Sequence, residues 1–171
     1  MTNMPATQAR ATPTLWDKVQ AVNAMLAAGE PGNISSDERA GRSGYKPQAI
    51  VDAMNEVFGL DSWSFEEMES SITQVPTARG GESGLAVSRV RAMLVGTAAH
   101  PVAWGQARVV SGDLGDARKG AQTDALKKAL SYFSIGSRAY LGLLDGEDHP
   151  AQTQHPARTA TPPRRQDNPQ S

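Results

Sequence analysis

The sequence predicts an α+β domain, an antiparallel three-stranded β-meander packed against one long basic α-helix and preceded by two short helices. Three features carry that expectation. Apolar residues recur at helical spacing from Leu15 to Ala28 and from Pro47 to Phe58. Three segments between Trp63 and Val110 alternate or run apolar as strands do. From Arg118 to Gly136, alanines and large apolar residues fall on one side of a helix and lysines on the other. Strands and helices do not alternate, which argues against a parallel dinucleotide-binding sheet.

Residues 1–13 are polar and read as a flexible start, and 14–144 as the folded domain. Thr14 and Asp17 form a capping pair ahead of Leu15, Val19, Val22 and Leu26, giving a first helix that Gly29, Pro31 and Gly32 terminate. Ile34 to Gly44 is polar and glycine-bearing, hence a loop, and carries Arg39 and Arg42. Pro47 suits a first helical turn; Ile50, Met54, Val57 and Phe58 make one apolar stripe, and Gly59 stands where a left-handed cap is expected. Phe58 and Trp63 read as core.

Trp63 and Phe65 alternate with Ser64 and Glu66 as a first strand. Leu85 to Val95 is apolar on both faces apart from Arg89 and Arg91, and Val102 to Val110 alternates again. Arg79-Gly80-Gly81-Glu82 and Gly96 to Pro101 supply the turns. On a wheel of about 100° per residue, Ala117, Ala121, Ala125, Leu126, Ala129 and Phe133 share a broad face, while Lys119, Thr123 and Lys127 lie opposite. Lys128 falls at the margin, where a long side chain lifts its charge outward, and Gly136 is the stop. Residues 145–171 turn to Pro, Gln, Thr and Arg, including Pro162-Pro163-Arg164-Arg165, and read as a disordered tail.

A chain of 171 residues, 39% hydrophobic, can bury one core. It contains no cysteine, which removes disulfides, thiolate metal sites and thiol nucleophiles. No apolar run approaches the ~20 residues of a membrane span, and the start lacks a signal core. A soluble, cytoplasmic, nucleoid-associated protein without a membrane partner is the expectation.

The formal net charge of −1 conceals an uneven distribution. Met1 to Ala78 holds five basic and ten acidic residues, whereas Arg79 to Leu144 holds nine basic and four acidic. A polyanion is therefore expected on the second part. Arg118, Lys119, Lys127 and Lys128 sit in the basic helix. Arg89 and Arg91, two apart on a strand, share one sheet face with Val87 and Met93, and Arg108 continues that positive surface. These cations suit phosphate contacts, but solvated helix and sheet faces are the plainer reading of the same charges.

Catalytic constellations are sparse. No glycine-rich loop ends in Gly-Lys-Ser/Thr, so a nucleotide phosphate cradle is missing. His100, His149 and His155 lack the helical spacing of a zinc pair. Asp113 and Asp116 flank Gly115 where carboxylates favour a helix N-terminus, so capping accounts for them more simply than metal-dependent nuclease chemistry.

The pattern of a small residue, Gln122-Thr123-Asp124, an apolar residue, Lys127-Lys128-Ala129-Leu130, Phe133 and Gly136 resembles the signature helix of the Rad-fifty-two family of single-strand annealing proteins. Asn55-Glu56-Val57-Phe58-Gly59-Leu60-Asp61-Ser62-Trp63 resembles that family's other signature, a helix ending in Phe-Gly with a tryptophan four residues later. The resemblance spans Ile34 to Leu144. It implies a curved β-β-β-α core, a homo-oligomeric ring, and a groove that holds single-stranded DNA by its backbone without nucleotide, metal or other cofactor. The family's paired basic contacts match Lys127 and Lys128, but Ser131 stands where a further cation is expected. The family's arginine follows an Ile-Ser-Ser sequence; here Ile34-Ser35-Ser36 is followed by Asp37 and Glu38, making Arg39 the nearest match. Arg118 and Lys119 match a generally basic stretch.

The leading expectation is thus a single-strand annealing or recombination-mediator protein, with single-stranded DNA, copies of itself and a recombinase or single-strand-binding protein as partners. A nucleic-acid module for end protection or RNA binding is the alternative, and a nuclease built on Asp113 and Asp116 the third.

Overall fold

The computed structural model describes residues 12–37, 42–78 and 80–144. At its start, Thr14 Oγ1 accepts from the Asp17 N–H at 3.2 Å while Asp17 Oδ2 accepts from the Thr14 N–H at 2.8 Å. This reciprocal capping box opens helix α1, Leu15–Ala28. The side-chain hydrogen bond with Thr14 holds the Asp17 carboxyl below its ordinary range. Val19, Val22 and Leu26 face inward, and Gly29 caps the end.

Ile34 to Gly44 is expected as a loop, but its described residues pair as two strands of a hairpin. Strand β1, Ile34–Asp37, pairs antiparallel with β2, Arg42–Tyr45, placing Ile34 opposite Tyr45. The serines and Gly44 carry no apolar alternation, so periodicity could not reveal it. Its anchor is tertiary: Tyr45 is buried, and its hydroxyl donates to Glu30 Oε1 at 2.6 Å. Arg138, on a later helix, reaches the same carboxylate oxygen at 3.5 Å. The Lys46 N–H donates to the Asn33 carbonyl at 2.8 Å, closing the base of the hairpin. Arg39 lies outside the described residues, as do the termini that were expected to be flexible, His149, His155 and the Arg164-Arg165 pair.

Helix α2, Pro47–Phe58, begins with proline and buries Ile50, Ala53, Met54 and Phe58. Gly59 has φ 82° and ψ 157°, a positive φ that favours glycine but an extended ψ, so it is not the left-handed helical cap expected. The Trp63 indole donates to Asn55 Oδ1 at 2.9 Å, tying the following strand to α2.

Strands β3 (Trp63–Pro76), β4 (Glu82–Leu94) and β5 (Val102–Arg108) form an antiparallel sheet in the order β3-β4-β5. β3 extends far past the Trp63–Glu66 alternation, and a register shift between Glu67 and Glu69 inserts a bulge. As an edge strand with mostly exposed residues, β3 lacks the apolar pattern that would have disclosed its length. β5 stops two residues before the expected Val110. On the inner face, Ala86, Ser88, Val90, Ala92 and Leu94 of β4 are buried. The buried Ser88 hydroxyl is satisfied by Glu67 Oε1 at 2.7 Å.

Helix α3, Leu114–Ser131, lies across the inner face over β4 and β5. It starts before Arg118, where the Asp113 side chain accepts from the Asp116 N–H at 2.9 Å. It also ends before Gly136. The Ile135 N–H returns to the Leu130 carbonyl at 3.3 Å and the Ser134 N–H to the Ser131 carbonyl at 2.8 Å, with Ser134 at φ 66°. That is a Schellman ending built on a serine, with Ile135 and Leu130 both buried beneath it. Gly136, also left-handed, begins α4, Ser137–Tyr140, instead. Phe133 is partly buried against the main core.

The seam between α3 and the sheet is made of small residues. Ala86, Ala103, Ala117, Ala121, Ala125 and Ala129 are all buried. Gly105 is the tightest point: an added Cβ would strike the Ala121 carbonyl and the Ala125 amide nitrogen, and would lie 2.8 Å from Ala125 Cα. Backbone on both sides leaves no flexible group to yield. The main core continues beyond this seam through Val22, Leu26, Met54, Val90, Leu130 and Ile135.

Gly105→Ala should therefore destabilise by about 3 kcal/mol, the upper end of overpacking costs, while Gly44→Ala, where nothing lies within 4 Å, should melt like the wild type. Equal melting of the two variants would refute the close approach. A second test concerns pH. Burial, aided by the Glu30 carboxylate, pushes the Tyr45 hydroxyl up to about 12, against about 10 when unfolded. The stability linked to this shift is whole below pH 10 and is lost as pH rises toward 12. Urea melts of wild type and Tyr45→Phe should converge over that interval; a constant difference would show that Tyr45 does not titrate as described.

Candidate nucleic-acid interface

The outward surface of α3 is narrow, because alanines, Leu126 and Leu130 bury much of its circumference. Lys119, Thr123 and Lys127 follow one another at intervals of four residues, so they form one row, about 12 Å from Lys119 to Lys127. Lys119 is exposed and Lys127 half-buried. Among the described residues, neither makes an ion pair. Arg118 is exposed but stands about half a turn around the helix from Lys127, off that row.

Lys128 is held differently. Its Nζ lies 2.7 Å from Asp124 Oδ2, one helical turn earlier. The same carboxylate oxygen accepts from the Gln106 N–H at 3.0 Å. Gln106 lies on β5, an edge strand of the sheet, so Asp124 satisfies an edge amide and fixes the Lys128 ammonium at the helix margin in one contact. Asp124 therefore positions the helix against the sheet edge. The Thr123 hydroxyl donates to the Gly120 carbonyl at 3.0 Å and is likewise turned to the helix itself.

Ser131, where a further cation was expected, donates to the Lys128 carbonyl at 2.7 Å. It stands beside Tyr140, whose hydroxyl is pushed above its ordinary range by burial and then by the Asp124 carboxylate. This end of the helix thus offers two lysines rather than three cations.

The three sheet arginines face the other way. In the strand register Arg89 is opposite Glu69 and Trp104, Arg91 opposite Glu66 and Val102, and Leu85 opposite Arg108. Cross-strand partners share a face, so all three arginines lie on the outer face, across the sheet from α3. Arg108 does continue the surface of Arg89 and Arg91. The candidate cations nevertheless divide between two surfaces with the sheet between them. Arg91 is paired with Glu66 at 3.2 Å. Arg89 places its guanidinium carbon 5.5 Å from the centre of the Trp104 ring.

Trp104 escaped the sequence reading. Its signal is the alternation of β5, which puts it on the same face as Arg108, but only the β4–β5 register sets it opposite Arg89. As for a nuclease centre, the Asp113 carboxylate is engaged as the α3 cap. Among the described residues, no group of three or more His, Asp or Glu side chains is arranged to hold a metal ion. No helix among them is long and apolar enough to cross a membrane.

Asp124→Ala removes the partner of a backbone amide and the anchor of Lys128. It should cost about 1–2 kcal/mol, since the half-exposed setting reduces the worth of a charged hydrogen bond. Hydrogen exchange at Gln106 should accelerate in step, and unchanged protection there would dismiss the edge contact.

A comparison with curated proteins finds no match. The family model for the Rad52/22 family double-strand break repair protein matches residues 30–153. That span takes in the hairpin, α2, the whole meander and α3 with its lysine row. By this match over residues 30–153, the chain belongs to the Rad52/22 family of double-strand break repair proteins.

Proposed function

We propose that this protein binds single-stranded DNA without sequence preference and promotes annealing of complementary strands during recombination and break repair, acting as a ring-forming homo-oligomer. The observation that carries the reading is the pair at the C-terminal end of α3: Lys127 without a carboxylate partner among the described residues, and Lys128 held beside it by Asp124. Lys119 continues the row toward the helix start, while Arg118 offers a further cation off the row, about half a turn around the helix from Lys127. Arg39, which falls between β1 and β2 in the sequence, remains a candidate contact.

Phosphates laid along such a row displace their counterions, which supplies affinity that is independent of sequence and sensitive to salt. Two or three cations per protomer give weak binding alone. Repetition around an oligomer turns each further contact into a local event at high effective concentration. A strand held by its backbone leaves its bases free for Watson–Crick pairing, so a second strand supplies the specificity. Neutralised phosphates repel that strand less, and a strand already extended has lost part of the entropy that pairing requires. Such a mechanism requires neither a nucleotide nor a bound metal.

Pairing of two complementary labelled oligonucleotides should accelerate with the protein and without nucleotide or metal. Lys127→Ala with Lys128→Ala should abolish most of that acceleration and lower the salt slope of single-strand binding by about 1.4, two phosphate contacts' worth, while leaving the melting temperature almost unchanged. Unaltered affinity at moderate salt would remove the lysines from the site. Tight binding without acceleration would instead mark a protective module.

A further inference from the structure

We infer that the outer face of the sheet is a base-stacking surface for single-stranded nucleic acid, with Trp104 as the platform and Arg89 and Arg108 as its flanking cations; this rests on the functional reading above and adds to it a contact with bases. Trp104 is 49% exposed although it lies mid-strand in a sheet. The Arg89 guanidinium packs over its ring, the arrangement in which a cation braces an aromatic side chain. The exposed remainder of the ring is free to take a base.

The charge around it fits an anionic strand. Arg89 makes no ion pair among the described residues although Glu69 lies opposite it in the register, and its Nε is buried without a hydrogen-bond partner. Arg108 lies four residues beyond Trp104 on β5, on the same face and about 13 Å from it, with Gln106 exposed between them. The acidic residues of this face, Glu66 and Glu69, belong to β3, and Glu66 is occupied by Arg91. The cationic, aromatic half is therefore the β4–β5 half, and a strand would follow β5 rather than cross the sheet. Stacking on an aromatic ring is indifferent to base identity, because every base has a π-face.

The test uses the full-length protein and two fluorescent probes, an oligothymidylate and an abasic oligomer of equal length and charge. Wild type should prefer the base-bearing probe. Trp104→Ala should weaken oligothymidylate binding about 5- to 100-fold and bind the abasic probe as before, while Trp104→Phe keeps most of the preference. Lys127→Ala with Lys128→Ala should weaken both probes alike and keep their ratio. Equal binding of both probes by wild type, or an intact preference in Trp104→Ala, overturns the inference while leaving the phosphate-based reading in place. A change of oligomer size by light scattering in Trp104→Ala also overturns it, by making this face a contact between copies. Failure of wild type to bind either probe removes both readings.

Discussion

The close approach of α3 to β5 is the constraint on which the rest of the molecule depends. A helix normally stands about 10 Å from a sheet because side chains fill the gap. Here Gly105 and a run of alanines let helix and strand backbones nearly touch. Burying alanines yields little apolar area per residue, so the gain comes from dense dispersion contact and from the hydrogen bond that proximity allows. Asp124 can reach the Gln106 amide only because the helix lies this close. The helix is then fixed in rotation as well as in position, and its rotation decides which lysines face outward.

From that constraint the two charged surfaces follow. The small residues of α3 are turned to the sheet, so Lys119 and Lys127 have only the opposite side to occupy. On the sheet itself the pleat places Arg89, Arg91 and Arg108 on the face that α3 does not cover. Strand and helix periodicities therefore sort nearby cations to opposite sides of a single layer. The molecule is basic on both sides of this layer, while the acidic surplus of the first half lies on α2 and β3.

The remaining elements lock onto this unit through few but long-range polar contacts. Tyr45, Glu30 and Arg138 join the hairpin, the end of α1 and α4. Asn23 joins α1 to the turn after α3, donating to the Ser134 carbonyl at 2.9 Å and accepting from the Gly136 N–H at 2.8 Å. That pair of bonds explains how a serine tolerates a left-handed backbone: the turn it occupies is held from both sides by one asparagine and by the buried Ile135.

Much of this was legible in the chain. The capping box at Thr14, the helices from Leu15 and Pro47, the meander, the lysine row and the shared face of Arg89, Arg91 and Arg108 are all local consequences of spacing, because side-chain direction repeats every 3.6 residues in a helix and every two in a strand. What the sequence concealed was what depends on distant partners. The β1–β2 hairpin is polar and is fixed by a buried tyrosine; β3 is long because β4 pairs with it, not because its own residues alternate; α3 ends at Ser131 because Asn23 and Ile135 hold the turn at Ser134 that follows. The same division holds for the site. Composition and spacing determined that the cations exist and which element bears each one. Only the tertiary structure decided that they lie on two faces, that Asp124 holds Lys128, and that Trp104 meets Arg89, since register and close approach are properties of two segments together and neither segment encodes them alone.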